Sequence, residues 1–568
     1  MLLLVIFVVG AIPRGSAQLL KIDTSSANIQ GPTAKNPIYF AKTGPVGRWS
    51  DPTGQRPQRD SNPRTRLRRA VLYPLSYGGP KPDQFSRRRR EGGRADSGRV
   101  VAMVYTHVAG SLHSGMVPAS PQWLRRPDDV NALDPALWPA SVGRDDQGEL
   151  VVADHGVGDL IEEYLSPLYL IDEAEFRRRA RGYLEGFPGW TVYYAGKAFL
   201  TKAVARWVAE DGLSLDVCSG NELAVALSAG FPAERIGFHG NNKSVGELRQ
   251  AIAAGVGHII VDSLDEITRL EDLTAELGRS ATVLVRVTSG VEAHTHEYIA
   301  TAVEDQKFGF SIHGGQALMA MVRCQTSPRL ILAGLHSHIG SQIFDTDGFE
   351  VAAQRTMRLM AQFHEATGVH LTELDLGGGF GIAYTEQDTP SAPAELNAGL
   401  ARIVEQARRG YDLPELRLSI EPGRGIAGPA GVALYTVGTV KVVDLEGGAQ
   451  RVYISVDGGM SDNIRPALYA AEYSAVLANR TSAAQTVLCR VVGKHCEAGD
   501  ILVHDVFLPA DIVPGDIIAV PAAGAYARSM ASNYNYLVRP AVVAIGPDGT
   551  YPLLRRETLD DLLRLDQG

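Results

Sequence analysis

From about Gly156 onward, short β-branched runs alternate with stretches whose apolar positions recur at helical spacing. The pattern predicts a strand at Thr191–Ala195, a helix over Thr201–Asp211, a strand at Leu213–Val217, a helix over Gly220–Ala229 and a strand at Ile236–His239. It continues with a helix over Ser244–Ala254, a strand at His258–Asp262, a helix over Leu264–Leu277 and a strand at Thr282–Val287. Ile331–His336, a helix over Phe349–Ala366, Glu373–Leu376 and Arg417–Glu421 complete the series. Eight short strands, mostly alternating with helices over about 250 residues, are the pattern of a parallel (β/α)8 barrel.

Past Gly425 the period changes. Val432–Val443, Arg451–Val456, Thr486–Val492, Leu502–Leu508 and Asp516–Val520 alternate as strands, with turns at Glu446-Gly447-Gly448 and Pro514-Gly515-Asp516. The fold class is therefore α/β: a TIM-like barrel followed by a C-terminal antiparallel β domain. The expected division is an extension over 1–115, a lead-in over 116–170 that packs with the β domain, the barrel over 171–424, and the β domain over 425–568.

The extension reads differently. Met1–Ile12 is apolar, and Gly15-Ser16-Ala17 follow, but no positive charge precedes the run as in an export signal. Thr33–Arg99 is rich in Pro, Gly and Arg and has neither helical nor strand period, which predicts disorder. Three readings stay open: a start placed upstream of Met103 or Met116, a disordered tail, or a real export signal. The run Arg87–Arg90 has no interleaved aromatics on which bases could stack.

Composition narrows the class. The 568 residues are 45% hydrophobic and 21% charged, ordinary for a soluble globular protein. No uncharged apolar run approaches the ~18 residues of a membrane span. Residues 1–100 hold 18 Lys and Arg against 6 Asp and Glu, while the whole chain carries −9, so the remainder is strongly acidic. That balance argues against nucleic acid as a partner. Cys218, Cys324, Cys489 and Cys496 form neither a disulfide framework nor a zinc-ligand spacing, so no metal is expected and a cytoplasmic setting is.

Several segments carry chemistry at predicted strand ends. Lys197 follows the first barrel strand on the face where barrel enzymes build their sites; it is either a surface charge or a Schiff-base amine. His336-Ser337-His338-Ile339-Gly340-Ser341 offers a ring and a hydroxyl, or merely two core histidines. Gly377-Gly378-Gly379 can cradle a phosphate with backbone N–H groups, or simply turn the chain. It lacks the dinucleotide spacing. Glu421-Pro422-Gly423-Arg424 could pair a carboxylate with a pyridine nitrogen, or form a surface ion pair. Cys496-Glu497 places a thiol beside a carboxylate, either a proton donor or a structural thiol. Arg465-Pro466-Ala467-Leu468-Tyr469 and Gly524-Ala525-Tyr526 flank it.

Taken in order along a barrel and then a β domain, these segments resemble the fold-type III pyridoxal-phosphate decarboxylases of alanine-racemase-like architecture. Within them they resemble the branch that converts meso-diaminopimelate to L-lysine, the last step of lysine biosynthesis. The resemblance runs from about Leu150 to Leu563 and includes Asp216–Leu223, Phe238–Ser244 and Lys307–Gly309. It implies that Lys197 joins pyridoxal 5'-phosphate and that His338 stacks on the ring. Ser341, Gly378 and Gly379 would bind the phosphate. Glu421 would pair with the pyridine nitrogen, and Glu421, Pro422, Gly423, Arg424 and Tyr526 would line the cofactor. Cys496 would protonate the α-carbon. The family's Cys-Glu segment serves the other subunit's site, which implies a homodimer.

The substrate has an ammonium and a carboxylate at its far end. Glu497 suits the former; Arg424, Arg465 and Tyr469 suit the latter, with Tyr526 beside them. Ornithine-type relatives carry Cys-Asp instead. Rival readings are a decarboxylase of ornithine, arginine or carboxynorspermidine, and a cofactor-free binding protein, whose mark would be loss of Lys197 or Cys496. Tyr164-Leu165-Ser166-Pro167 and Val287-Thr288-Ser289-Gly290 depart from the family pattern, where Gly-Thr before the proline and Asn-Pro-Gly are commoner.

Overall fold

The computed structural model describes residues 121, 123–290, 307–445 and 450–568. The expected extension over 1–115 and the turn at Glu446-Gly447-Gly448 lie outside them. The barrel strands are β1 (Thr191–Ala195), β2 (Ser214–Val217), β3 (Ile236–Phe238), β4 (His258–Val261), β5 (Ala281–Thr288), β6 (Leu330–His336), β7 (Glu373–Asp375) and β8 (Arg417–Ile420). Each pairs in parallel with the next, and β8 pairs with β1, so the barrel closes. A two-residue strand, Phe310–Ser311, adds to the outside of β5.

The local chemistry explains the βα units. Ser/Thr caps begin four successive helices: Thr201, Ser219, Ser244 and Ser263 each accept the N–H three residues on. Ser244 and Glu247 complete a capping box. Each helix turns an apolar stripe inward. On Lys202–Glu210 it is Val204, Ala205, Trp207 and Val208, all buried against the strands. The strands are buried on both faces and therefore read as near-continuous Val, Ile and Leu.

The second sheet is built on β9 (Gly431–Asp444), a 14-residue strand. It pairs antiparallel with β10 (Gln450–Val456) and with Ile517–Val520. Thr486–Val492 pairs parallel with β10 and antiparallel with Ile501–Pro509. The sheet is thus mixed rather than wholly antiparallel. The parallel pairing is made possible by a long crossover between the strands, which carries the short helix Arg465–Tyr469.

Strand Leu168–Asp172, which precedes the barrel, pairs antiparallel with β9 and parallel with Ala541–Gly546. All five of its residues are buried. A separate apolar cluster joins Leu137, Trp138, Leu150 and Val152 to Leu434 and Val543. Helices Glu173–Gly186, Gln316–Thr326 and Pro393–Gly410, and the hairpin Ala541–Gly546/Gly549–Leu554, are further elements beyond the sequence prediction. Among the described residues no helix is long and apolar enough to cross a membrane.

Candidate active site

A cavity of about 400 Å³ opens at the C-terminal ends of the barrel strands, roofed by Arg465, Tyr469, Tyr526 and Met530, which lie outside the strands of the second sheet. Barrels place chemistry here because eight strand ends converge on one rim. Lys197 enters from the end of β1; His338 and Ser341 follow β6; Gly379 follows β7; Glu421, Gly423 and Arg424 follow β8. Arg465, Tyr469 and Tyr526 line it from the other domain. Ten residues singled out from sequence therefore converge.

Four of the expected residues do not line the cavity. The N–H of Gly378 donates to His338 Nδ1 at 3.2 Å, so Gly378 orients the ring from behind. The Pro422 carbonyl accepts from the Ala195 N–H at 3.2 Å and ties β8 to β1. Cys496 is exposed on the surface of the second domain. Glu497 is exposed beside it and accepts a hydrogen bond from the Tyr534 hydroxyl. The chain's own cavity contains neither.

At one end of the cavity lies a buried carboxylate flanked by two imidazoles. Glu421 Oε1 is 3.0 Å from His239 Nε2 and 3.2 Å from His336 Nε2. Neither contact is angled as a hydrogen bond, so this oxygen keeps a lone pair for a ligand. Burial alone would raise the Glu421 pKa, but the two imidazoles outweigh it and hold the carboxyl well below the usual range. Asp375 behind it takes the opposite course: burial, then the Glu421 charge, pushes it up to about 7. The pair resolves as one anion and one carboxyl that holds its proton near neutrality.

Lys197 lies across the cavity with its Nζ 3.6 Å from Asp216 Oδ2. Burial disfavours the ammonium, yet Asp216, together with Cys218, Tyr526 and Glu421, more than offsets that and raises the pKa. Burial, then Lys197, drives His338 well below its ordinary value, so its imidazole is neutral. The Gly378 contact marks Nδ1 as the acceptor nitrogen.

At the far end the backbone supplies a cradle. Gly377 and Gly379 have φ of +72° and +112°. A Cβ on Gly379 would come within 2.5 Å of the Gly340 carbonyl, and one on Gly378 would land on the Glu421 carbonyl. Only glycine lets the chain pass here. Ser341 Oγ accepts from Arg424 at 2.8 Å, which puts a guanidinium at the same end. Arg424 also donates to the Tyr384 hydroxyl at 2.6 Å and lies 4.7 Å from the Tyr526 ring centre. Arg465, 4% exposed, is held by the Tyr473 hydroxyl and lies over the Tyr384 ring.

The arrangement suits a flat aromatic ligand. It offers a carboxylate oxygen for a ring N–H, a neutral imidazole, an amine that can be joined covalently, and a glycine and arginine cradle for a phosphate. The donor atoms of His239, His336 and Glu421 also lie within 4.8 Å of one another, as metal ligands would. A metal ion would leave Lys197 and the glycine cradle without a role, so the aromatic ligand accounts for more of the site. Sequence reasoning placed His239 and Asp216 in stretches that carry the resemblance but gave them no role; they share one signal, a polar residue at the C-terminal end of a barrel strand.

The pyridoxal-binding domain of the pyridoxal-dependent decarboxylases matches residues 173–428. A diaminopimelate decarboxylase of Mycobacterium leprae is 51% identical over 467 residues, 81% of this chain and 99% of the relative. That of Mycobacterium tuberculosis is 53% identical over 439 residues, 76% of this chain and 98% of the relative. A solved structure of diaminopimelate decarboxylase from Helicobacter pylori, complexed with L-lysine, is 30% identical and superposes with a TM-score of 0.66, covering 72% of this chain and 99% of that one.

Proposed function

The chain belongs to the diaminopimelate decarboxylases, within the pyridoxal-dependent decarboxylases, and on that premise we propose how its residues divide the work of converting meso-diaminopimelate to L-lysine and CO2. It is a pyridoxal 5'-phosphate enzyme and a carboxy-lyase, the last in lysine biosynthesis. One observation supports the assignment of roles: Gly379 of the glycine turn, Lys197 and Glu421, whose Oε1 makes no hydrogen bond, line a single cavity.

Bound there, the cofactor supplies an electron sink for the charge left on the α-carbon as CO2 departs. Lys197 is its point of covalent attachment. Glu421, kept anionic by His239 and His336, holds a proton at the ring nitrogen. His338 faces the ring as a neutral imidazole. Ser341 and Gly379 hold the phosphate, with Gly423 and Arg424 beside them, while Gly378 braces the His338 ring from behind and Pro422 ties the loop to β1. Tyr526, whose ring lies 4.7 Å from the Arg424 guanidinium, would line the cofactor beside it.

Arg465 and Tyr469 receive the substrate's distal carboxylate, with Arg424 at the edge of that subsite. Arg465 is suited to this because Tyr473 and the Tyr384 ring fix its plane before substrate arrives. Glu497 takes the distal ammonium, and Cys496 delivers the proton to the α-carbon. Both residues stand outside their own chain's cavity, and this supports a homodimer in which each segment serves the partner's site. We place the cofactor on a barrel over 171–424 and the donor segment on a domain over 425–568, with 116–170 leading in. Four free thiols accord with a cytoplasmic setting.

Assay of the purified protein against meso-diaminopimelate, ornithine and arginine tests the assignment. Lysine formed from diaminopimelate at a kcat/KM well above the other two is the expected result; a preference for ornithine overturns it.

A further inference from the structure

The segment that carries Cys496 and Glu497 is tied to the loop Gly458–Asn463 by buried polar groups that the roles above do not use. Asp500 is 3% exposed. Its Oδ1 accepts the Met460 N–H at 2.6 Å, and its Oδ2 accepts the His495 N–H at 2.7 Å. Its own N–H donates to the Glu497 carbonyl at 3.1 Å and closes the turn that follows the Cys-Glu pair. The surroundings are cleared for this carboxylate. A Cβ on Gly493 would come within 2.5 Å of Oδ1, and one on Gly459 within 2.7 Å.

His495 makes a second tie. Its Nε2 is 2.9 Å from Ser461 Oγ, and its Nδ1 is 2.8 Å from Asn535 Oδ1. The ring lies 5.3 Å from that of Tyr534, whose hydroxyl donates to Glu497. One buried carboxylate and one buried imidazole thus grip the segment from its inner side, while Cys496 and Glu497 project outward. An exposed turn with no task beyond its own chain has no need to spend a buried charge on two backbone N–H groups.

We propose that Asp500 and His495 are positioning residues for the reaction, holding Cys496 and Glu497 in the one arrangement that delivers thiol and carboxylate into the partner subunit's cavity. The proposal rests on the reading that the segment acts on the partner's site. Neither residue reaches its own chain's cavity, so each acts through the segment.

The test uses Asp500→Asn and His495→Gln in the full-length holoenzyme. Each should lower kcat by about 10- to 100-fold through misplacement of the donor. Dimer mass and the absorbance of bound cofactor should stay unchanged. The decisive readout is complementation. Asp500→Asn co-expressed in equal amounts with Lys197→Ala should recover about a quarter of wild-type activity, since half the dimers then hold one site with both halves intact. A parallel mixture of Cys496→Ala with Lys197→Ala reports on the shared-site reading itself. Recovery there without recovery for Asp500→Asn overturns the positioning role. Recovery in neither mixture overturns the shared site, and with it delivery to the partner. If Asp500→Asn loses dimer or cofactor, His495→Gln carries the same expectations; loss in both variants, or unchanged kcat in both, overturns the proposal.

Discussion

The amine of Lys197 stands 3.6 Å from Asp216 Oδ2, a fully buried carboxylate oxygen that makes no hydrogen bond. Asp216 thus faces Lys197 with one oxygen and His239 with the other, Nε2 lying 3.6 Å from Oδ1, and it favours the charged form of the lysine from behind the cavity wall. Its position at the end of β2, beside β1, follows directly from parallel neighbours in the barrel.

Replacing Lys197 with Ala leaves the cavity intact but removes its covalent anchor. Turnover should fall below detection, and the borohydride-sensitive absorbance of the bound cofactor should vanish. Substantial residual turnover in the purified variant would remove Lys197 from its role.

Gly378→Ala directs a methyl group onto the Glu421 carbonyl and displaces both the cradle and the ring of His338. Its effect should appear in cofactor affinity, with Kd weakened by roughly 10-fold or more, about 1.4 kcal/mol. Equilibrium dialysis against pyridoxal 5'-phosphate reads this; an unchanged Kd counts against the cradle.

Glu497→Asp draws the carboxylate back by about one methylene. Poor pairing of the substrate's distal ammonium should cost roughly 1–3 kcal/mol. The loss should fall on kcat/KM for diaminopimelate, while cofactor absorbance is unaffected. Identical kinetics would take Glu497 out of the substrate site.

Glu472 offers a test of stability against pH. Burial, then Asp505, pushes its carboxyl up to about 7, and its Oε2 has no hydrogen-bond partner. Between the ordinary glutamate value of about 4.3 and 7, the folded state keeps a proton that the unfolded chain has released. Its contribution to stability therefore falls as pH rises through that window. Glu472→Gln removes the effect. Its Tm should exceed that of the parent by about 2 °C at pH 8 and match it at pH 4. Equal Tm values at pH 8 would show that the carboxylate is solvated.

Removal of residues 1–115 should leave kcat/KM and dimer mass unchanged. That tract has no periodic apolar face to contribute to a core, and all the proposed ligands begin at Lys197. A large loss of either quantity would make the tract part of the working enzyme.

The alternation of β-branched runs with helical periods was enough to define the barrel, because each βα unit is specified locally: a buried strand, a Ser or Thr cap, an amphipathic helix. Lys197, His338, Ser341, Gly379 and Glu421 were legible for the same reason, since every one follows a strand end and all strand ends share a rim. What the sequence alone could not place depends on contacts between distant segments. Leu168–Asp172 is a strand because β9 and Ala541–Gly546, more than 250 residues away, lie on either side of it. Nothing in four consecutive apolar residues, Leu168, Tyr169, Leu170 and Ile171, distinguishes a buried strand from a helix turn. The pairing of His239 and His336 on one oxygen of Glu421 depends likewise on barrel closure, which brings β3, β6 and β8 to a common centre. Asp500 is the sharpest case. In sequence it is one more acidic residue after Cys-Glu, and only the fold, by burying it against Gly459 and Gly493, turns it into the acceptor that fixes the donor segment.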